Sequence, residues 1–84
     1  MHSNREQPPI AQHLDARGLQ CPLPLLKTRQ ALRGLRPGDV LRVLASDAGS
    51  ARDIPNYLGQ SSHELVRRSE EDGLFVFLIR RGEE

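Results

Sequence analysis

The chain has 84 residues, 12 basic and 11 acidic side chains for a formal net charge of +1, and a single cysteine, Cys21. That length makes one small domain; a lone cysteine excludes an intramolecular disulfide, and nothing resembles a paired Cys/His metal site, so no cofactor or metal is expected. The near-neutral charge gives no global electrostatic case for a nucleic-acid binder, and no apolar run approaches the roughly 20 residues of a membrane helix.

Residues 1 to 11 are polar, contain Pro8-Pro9 and show no hydrophobic period. They are expected to be a mobile tail ahead of a single domain over 12–84. The opening MHSNREQPPIAQH lacks the apolar core of a secretory signal, and an unpaired thiol suits a reducing compartment, so the expected location is cytoplasmic. A short extended piece, Gln12 to Ala16, leads to a turn at Gly18. A helix is then predicted from about Pro22 to Arg33, with Leu25, Thr28, Leu32 and Leu35 at helical spacing and Leu26 widening the stripe. Gly34 stops it, and Pro37-Gly38 punctuates the turn that follows.

Val40 to Ala45 is β-rich and apolar on both faces apart from Arg42, which describes an interior strand. Ser50-x-x-Asp53 has the spacing of a capping box and predicts a second helix to about Leu58, closed by Gly59. Pro55 falls inside it and removes one backbone hydrogen bond, so that helix is expected to be short or bent. HELVRRS and LFVFLIRR read as two further strands joined by a hairpin turn at Asp72-Gly73. The last strand is apolar on both alternating sets, and its inward set is open at this level. The order β-α-β-α-β-β predicts an α/β (α+β) two-layer sandwich: a four-stranded mixed sheet with two helices on one face.

The chemistry centres on LQCPLPLLKTR, residues 19 to 29. The first N–H groups of a helix lack partners within it, and proline suits that turn because it has no N–H to leave unpaired. With Cys21 as N-cap, Pro22 and Pro24 would leave only the Leu23 N–H for the sulfur. The residue before a proline resists helical ψ, so regular helix could instead begin at Pro24. Either placement puts Cys21 at the positive end of a helix dipole, which favours a thiolate by up to roughly one pKa unit. From a free value near 8.5 that raises the thiolate fraction at pH 7 from a few per cent to about a quarter. Lys27 and Arg29 could add to the effect by curling toward the cap. A free cysteine is more often a small buried apolar residue than a reactive one. Against that stands a position at a strand-to-helix junction, where α/β proteins place chemistry.

These residues carry a resemblance. LDARGLQCPLPLLKTRQAL, Leu14 to Leu32, resembles the signature of the TusA (SirA-like) sulfur-carrier proteins, a Cys-Pro-x-Pro at the start of the first helix behind an Asp-x-x-Gly-Leu segment. PGD at Pro37 to Asp39, DAGSARDIP at Asp47 to Pro55, HEL at His63 to Leu65 and FLIRR near the end continue it over about residues 13 to 81. The resemblance implies a βαβαββ sandwich and a cysteine, Cys21, that carries sulfane sulfur as a persulfide, with Pro22 and Pro24 as the motif prolines. It implies a cysteine desulfurase or another sulfurtransferase as donor and a downstream acceptor protein. The sulfur of such carriers ends in tRNA thiolation, molybdenum-cofactor assembly or sulfur oxidation. Arg29, Arg33 and Asp47 match polar positions expected to contact partners, and Lys27 joins them as a candidate. Leu23 departs from the acidic residue that tRNA-thiolation members often carry between the prolines, and Ala48 replaces a frequent proline in what reads as a loop.

The remaining features have plainer readings. His63 has no second ligand at a useful spacing and reads as a surface histidine at a strand start. Arg67-Arg68 and Arg80-Arg81 alternate between sheet faces and read as solvated strand ends, and the three aromatic residues are too few for base stacking. The chain holds no resolving cysteine to collapse a persulfide on Cys21 into an internal disulfide, which suits a carrier. Two rival readings remain: a non-catalytic regulatory or interaction module on the same scaffold, and an RNA-binding domain, which the charge disfavours.

Overall fold

A computed structural model describes residues 9–83; the expected tail at 1–11 lies mostly outside them. Six elements follow in the expected order: β1 (Gln12–Ala16), α1 (Leu23–Arg33), β2 (Val40–Ala45), α2 (Ala48–Gly59), β3 (Glu64–Glu71) and β4 (Leu74–Arg80). They form one mixed sheet in the order β1-β2-β4-β3. β1 runs parallel to β2, and β4 is antiparallel to both of its neighbours. The Ala11 N–H donates to the Val40 carbonyl at 2.8 Å, carrying the parallel pairing one residue before β1. β2 is interior, as its two-faced apolar pattern requires.

The inward set of β4 is Phe75, Phe77 and Ile79. Their partners in register are Ala45, Val43 and Leu41, and together with Leu32 of α1 and Ala51, Ile54 and Leu58 of α2 they form the core. Both helices therefore share one face of the sheet, the two-layer arrangement read from the element order. On the other face, Leu78 is also buried, between Arg42 of β2 and Arg67 of β3. A bulge between Leu65 and Arg67 inserts Val66 and resets the alternation, so Arg67 pairs opposite Leu78 and Arg68 opposite Phe77. The β3–β4 turn has Asp72 at φ 53° and Gly73 at φ 79°, the two left-handed positions of a type I′ hairpin.

Several local expectations are corrected. Leu26 does not widen the buried stripe of α1: it is 43% exposed, and Leu23 is 45% exposed. The buried face of α1 is Pro24, Thr28 and Leu32, with the Thr28 hydroxyl donating back to the Pro24 carbonyl at 2.8 Å. The cap of α2 is Asp47, in extended conformation, not Ser50. Its carboxylate accepts from the Ser50 N–H at 2.9 Å, the same i, i+3 spacing placed three residues earlier. Ala48 consequently belongs to the helix rather than to a loop, and α2 is not short: it runs twelve residues with Pro55 inside it. His63 is buried rather than on the surface. Its Nδ1 accepts from the Gly82 N–H at 2.9 Å, and its ring lies 6.2 Å from that of Tyr57. No helix among the described residues is long and apolar enough to cross a membrane.

Candidate functional site

Because β1 and β2 are parallel, the segments leaving their carboxyl ends emerge at the same edge of the sheet. Each leads into a helix, so the amino-terminal ends of α1 and α2 meet there, the position at which open α/β sheets place ligands. The Gly18 N–H donates to the Ser46 hydroxyl at 2.8 Å and ties the two segments together. Gly18 sits at φ 81°, a left-handed turn that a side chain would strain.

Cys21 lies at this junction and is exposed. It is not the N-cap of α1: Pro22 is, and regular helix begins at Leu23 with Pro24 just inside it. The sulfur does not accept the Leu23 N–H, which donates to the Gln20 carbonyl at 2.9 Å. Pro24 has no N–H to offer. Neither of the first two positions of α1 therefore offers an N–H to the thiol.

What surrounds the thiol comes from α2 and its cap. The Asp47 Oδ2 accepts the Cys21 N–H at 3.2 Å, along with the Ser50 N–H at 2.9 Å and hydroxyl at 3.2 Å. One carboxylate oxygen therefore caps α2 and fixes the backbone of the cysteine. Those donors, the Ser50 N–H first, hold the Asp47 carboxyl below its ordinary range against the opposing effect of desolvation. The thiol itself donates to Asp53 Oδ2 at 3.0 Å. Gly49 packs behind the pair: a Cβ there would stand 3.4 Å from Cys21 Cβ, 3.8 Å from Sγ and 3.1 Å from Asp47 Oδ2.

This environment reverses the expected electrostatics. The Cys21 thiol is pushed up from its ordinary value, first by its hydrogen bond to the Asp53 carboxylate, then by desolvation and by the negative charges of Asp53 and Asp47; only Arg52 opposes. The helix ends do favour an anion, but the Asp53 carboxylate in contact with the sulfur and the charge of Asp47 outweigh the opposing charge of Arg52. The resting thiol is a neutral donor, not the partly ionised nucleophile that a bare helix terminus would give.

The structure does not bring the basic candidates to the sulfur. Arg29 lies over the Tyr57 ring, its Cζ 5.3 Å from the centroid, so it does not curl toward the cap. Arg29 and Arg33 line a pocket of about 180 Å³ with Leu32, Tyr57, His63 and Arg81, near the far end of α1. Ten residues of helix separate Leu23 from Arg33, a span of about 15 Å. Lys27 is exposed on α1. Asp47 is the one candidate partner contact found beside Cys21, and there it binds the Cys21 and Ser50 N–H groups and the Ser50 hydroxyl. The sequence marks Asp53 as half of a capping box and as part of DAGSARDIP but not as a neighbour of the thiol, because that contact spans 32 residues of sequence.

Known proteins share the sequence pattern and the fold. The family model described as Sulfurtransferase TusA matches residues 12–81. The sulfur carrier protein TusA of Allochromatium vinosum is 44% identical over 70 residues, 83% of this chain and 92% of its own length. That of Pseudomonas fluorescens is 40% identical over 79 residues, 94% of this chain and 95% of its own. The crystal structure of a SirA-like protein from Desulfitobacterium hafniense superposes with a TM-score of 0.74 at 27% identity, covering 86% of this chain and 99% of that one. With the Cys-Pro-x-Pro motif, the βαβαββ sandwich and relatives matched over most of their length, the chain belongs to the TusA family of sulfur carrier proteins.

Proposed function

We propose that Cys21 is the sulfur-bearing residue of this carrier and holds its load as a persulfide. The single observation that carries the reading is the exposure of the only thiol at the joint carboxyl end of the two parallel strands, on the cysteine of the family motif. Loading is an exchange at sulfur. Deprotonated Cys21 attacks the outer sulfur of a donor R–S–SH; the Sγ–S bond forms, the donor S–S bond breaks, and its electron pair leaves on the donor's inner sulfur. The proton given up by Cys21 ends on that leaving thiolate. Cys21–SH and R–S–SH become Cys21–S–SH and R–SH with no net oxidation, and an acceptor thiol discharges the carrier by the same exchange in reverse.

The donor on this reading is a cysteine desulfurase or another sulfurtransferase, the acceptor a downstream protein, and the setting cytoplasmic. tRNA thiolation, cofactor assembly and sulfur metabolism are the routes the family suggests. Leu23 and Leu26 present an exposed apolar pair on the first turn of α1. An apolar residue between the motif prolines favours a docking partner other than the one served by an acidic residue there. Incubating the protein with glutathione persulfide should add one sulfur mass to the wild type and none to Cys21→Ser. Equal addition to both, or none to either, ends the proposal. The latter result favours the second reading, a non-catalytic interaction module, which the carboxylate-bound resting thiol supports.

A further inference from the structure

Asp53 stands against the one atom that changes its bonding when the carrier is loaded. In the empty protein Sγ bears a proton and donates it to Asp53 Oδ2 at 3.0 Å. In a persulfide Sγ is bonded to Cβ and to the outer sulfur and has no proton to give. The hydrogen bond therefore exists only in the empty state. When the outer sulfur is ionised, the loaded form also places a negative charge beside Asp53 and Asp47, with only Arg52 to offset it, its Nε 3.9 Å from Asp53 Oδ1.

We infer that Asp53 is a discharge-promoting residue: it binds the empty thiol, cannot bind the loaded sulfur in the same way, and so tilts the sulfur equilibrium from Cys21 toward the acceptor. This rests on the persulfide reading above. A ligand that recognises one of two states shifts the balance between them by its difference in affinity, and here the ligand is an internal carboxylate. Asp53 lies two turns along α2 from its cap, and Gly49 keeps the space between the cap and Sγ clear. Such a device suits a carrier, whose load must leave, more than a protein that stores sulfur. The charged groups acting on the sulfur are Asp53, Asp47 and Arg52, so the effect has a defined source and a defined opposition.

The full chain is equilibrated with glutathione and glutathione persulfide at graded ratios, and the loaded fraction is read from intact mass. Asp53→Asn keeps the shape of the side chain and removes its charge. The variant should reach half-loading at a persulfide ratio about three- to fivefold lower than the wild type, the size expected for a solvent-accessible charge interaction. Its Cys21 should also alkylate faster at pH 7, while Arg52→Ala should shift half-loading the opposite way. High salt should narrow the gap between wild type and Asp53→Asn. Circular dichroism checks that each variant is folded, and Asp53→Ala repeats the measurement with a smaller side chain. If wild type and both Asp53 variants load with the same half-point, or the variants load less readily, the inference is wrong although the carrier reading stands. If the wild type does not load at all, the carrier reading falls and takes this one with it.

Discussion

At the amino-terminal ends of α1 and α2 the polar groups are carboxylates gathered around a thiol; at their carboxyl-terminal ends they are guanidiniums gathered around Tyr57 and His63. Helix-end preferences account for part of this division, with Asp47 capping α2 and Arg33 in the last turn of α1. The two ends differ in what that logic leaves over. At the basic end the contacts explain the residues structurally: Arg81 Nε donates to the Leu32 carbonyl at 2.7 Å in the last turn of α1, and Arg29 stacks on Tyr57. At the acidic end Asp47 is explained as a cap, but Asp53 is not. It lies beyond the first turn of α2 and spends its hydrogen bond on the side chain of Cys21. A residue that fold logic does not require, placed on the atom expected to react, is a stronger pointer to function than a larger cluster that the fold itself accounts for.

The two ends are expected to act independently. The largest effect is expected at Gly82, where a Cβ would overlap the carbonyl of Ser62. Gly82→Ala should cost about 2–3 kcal/mol in urea unfolding by forcing apart the segment whose N–H reaches His63. Under folding conditions Cys21 should alkylate at the wild-type rate. A changed rate would mean that the basic end controls the thiol. Asp47→Ala should change both stability and alkylation rate. It removes the cap of α2 and the anchor of the Cys21 amide, lowering Tm by about 5 °C while speeding alkylation at pH 7, because one of the charges that oppose the thiolate is gone. Arg81→Met sharpens the contrast from the other side. The Leu32 carbonyl still accepts the Leu35 N–H at 3.1 Å, so the loss should be about 1 kcal/mol, with no movement in the titration of Cys21.

What sequence made visible was local. Strand and helix order, the interior character of β2 and the Asp72-Gly73 turn follow from periodicity and turn chemistry within a few residues. Ser50-x-x-Asp53 misplaces the cap of α2 by three residues because Asp47-x-x-Ser50 has the same spacing, and which one caps the helix depends on where β2 lets go of the chain, after Ala45. His63 looked exposed because its partners, Gly82 and Tyr57, come from other elements. The location of the thiol was legible and its electrostatics were not. Helix position predicts a lowered pKa, whereas the group in contact sits 32 residues away and reaches Cys21 only through the parallel pairing of β1 and β2. That pairing was the available signal: it sends both strand-to-helix junctions to one edge, and with them the acids of DAGSARD.

The smallest effect follows from titration and separates the ends once more. Asp15 is held at about 2, below its ordinary 3.8, by hydrogen bonds from Arg17, whose Nε and Nη2 donate to the two carboxylate oxygens at 2.8 and 2.7 Å. Asp47 is lowered as well. For both, the proton binds more weakly in the folded chain, so their stabilisation is complete above the ordinary carboxylate range and disappears as pH falls through the lowered values. Cys21 has the opposite sign. Its pKa is raised in the folded chain, so its contribution is present below the ordinary thiol range and disappears as pH climbs through the raised value. Stability plotted against pH should therefore fall on both sides of neutrality, and the alkaline fall should be shallower in Cys21→Ser and in Asp53→Asn but not in Arg81→Met. These groups are solvent-accessible, so salt near 1 M, where screening acts over about 3 Å, should flatten the acid side more than it changes the core. An alkaline limb identical in wild type and Cys21→Ser would show that the thiol does not hold Asp53 in solution, leaving Asp47, as the cap of α2, the one carboxylate of the pair with a structural role.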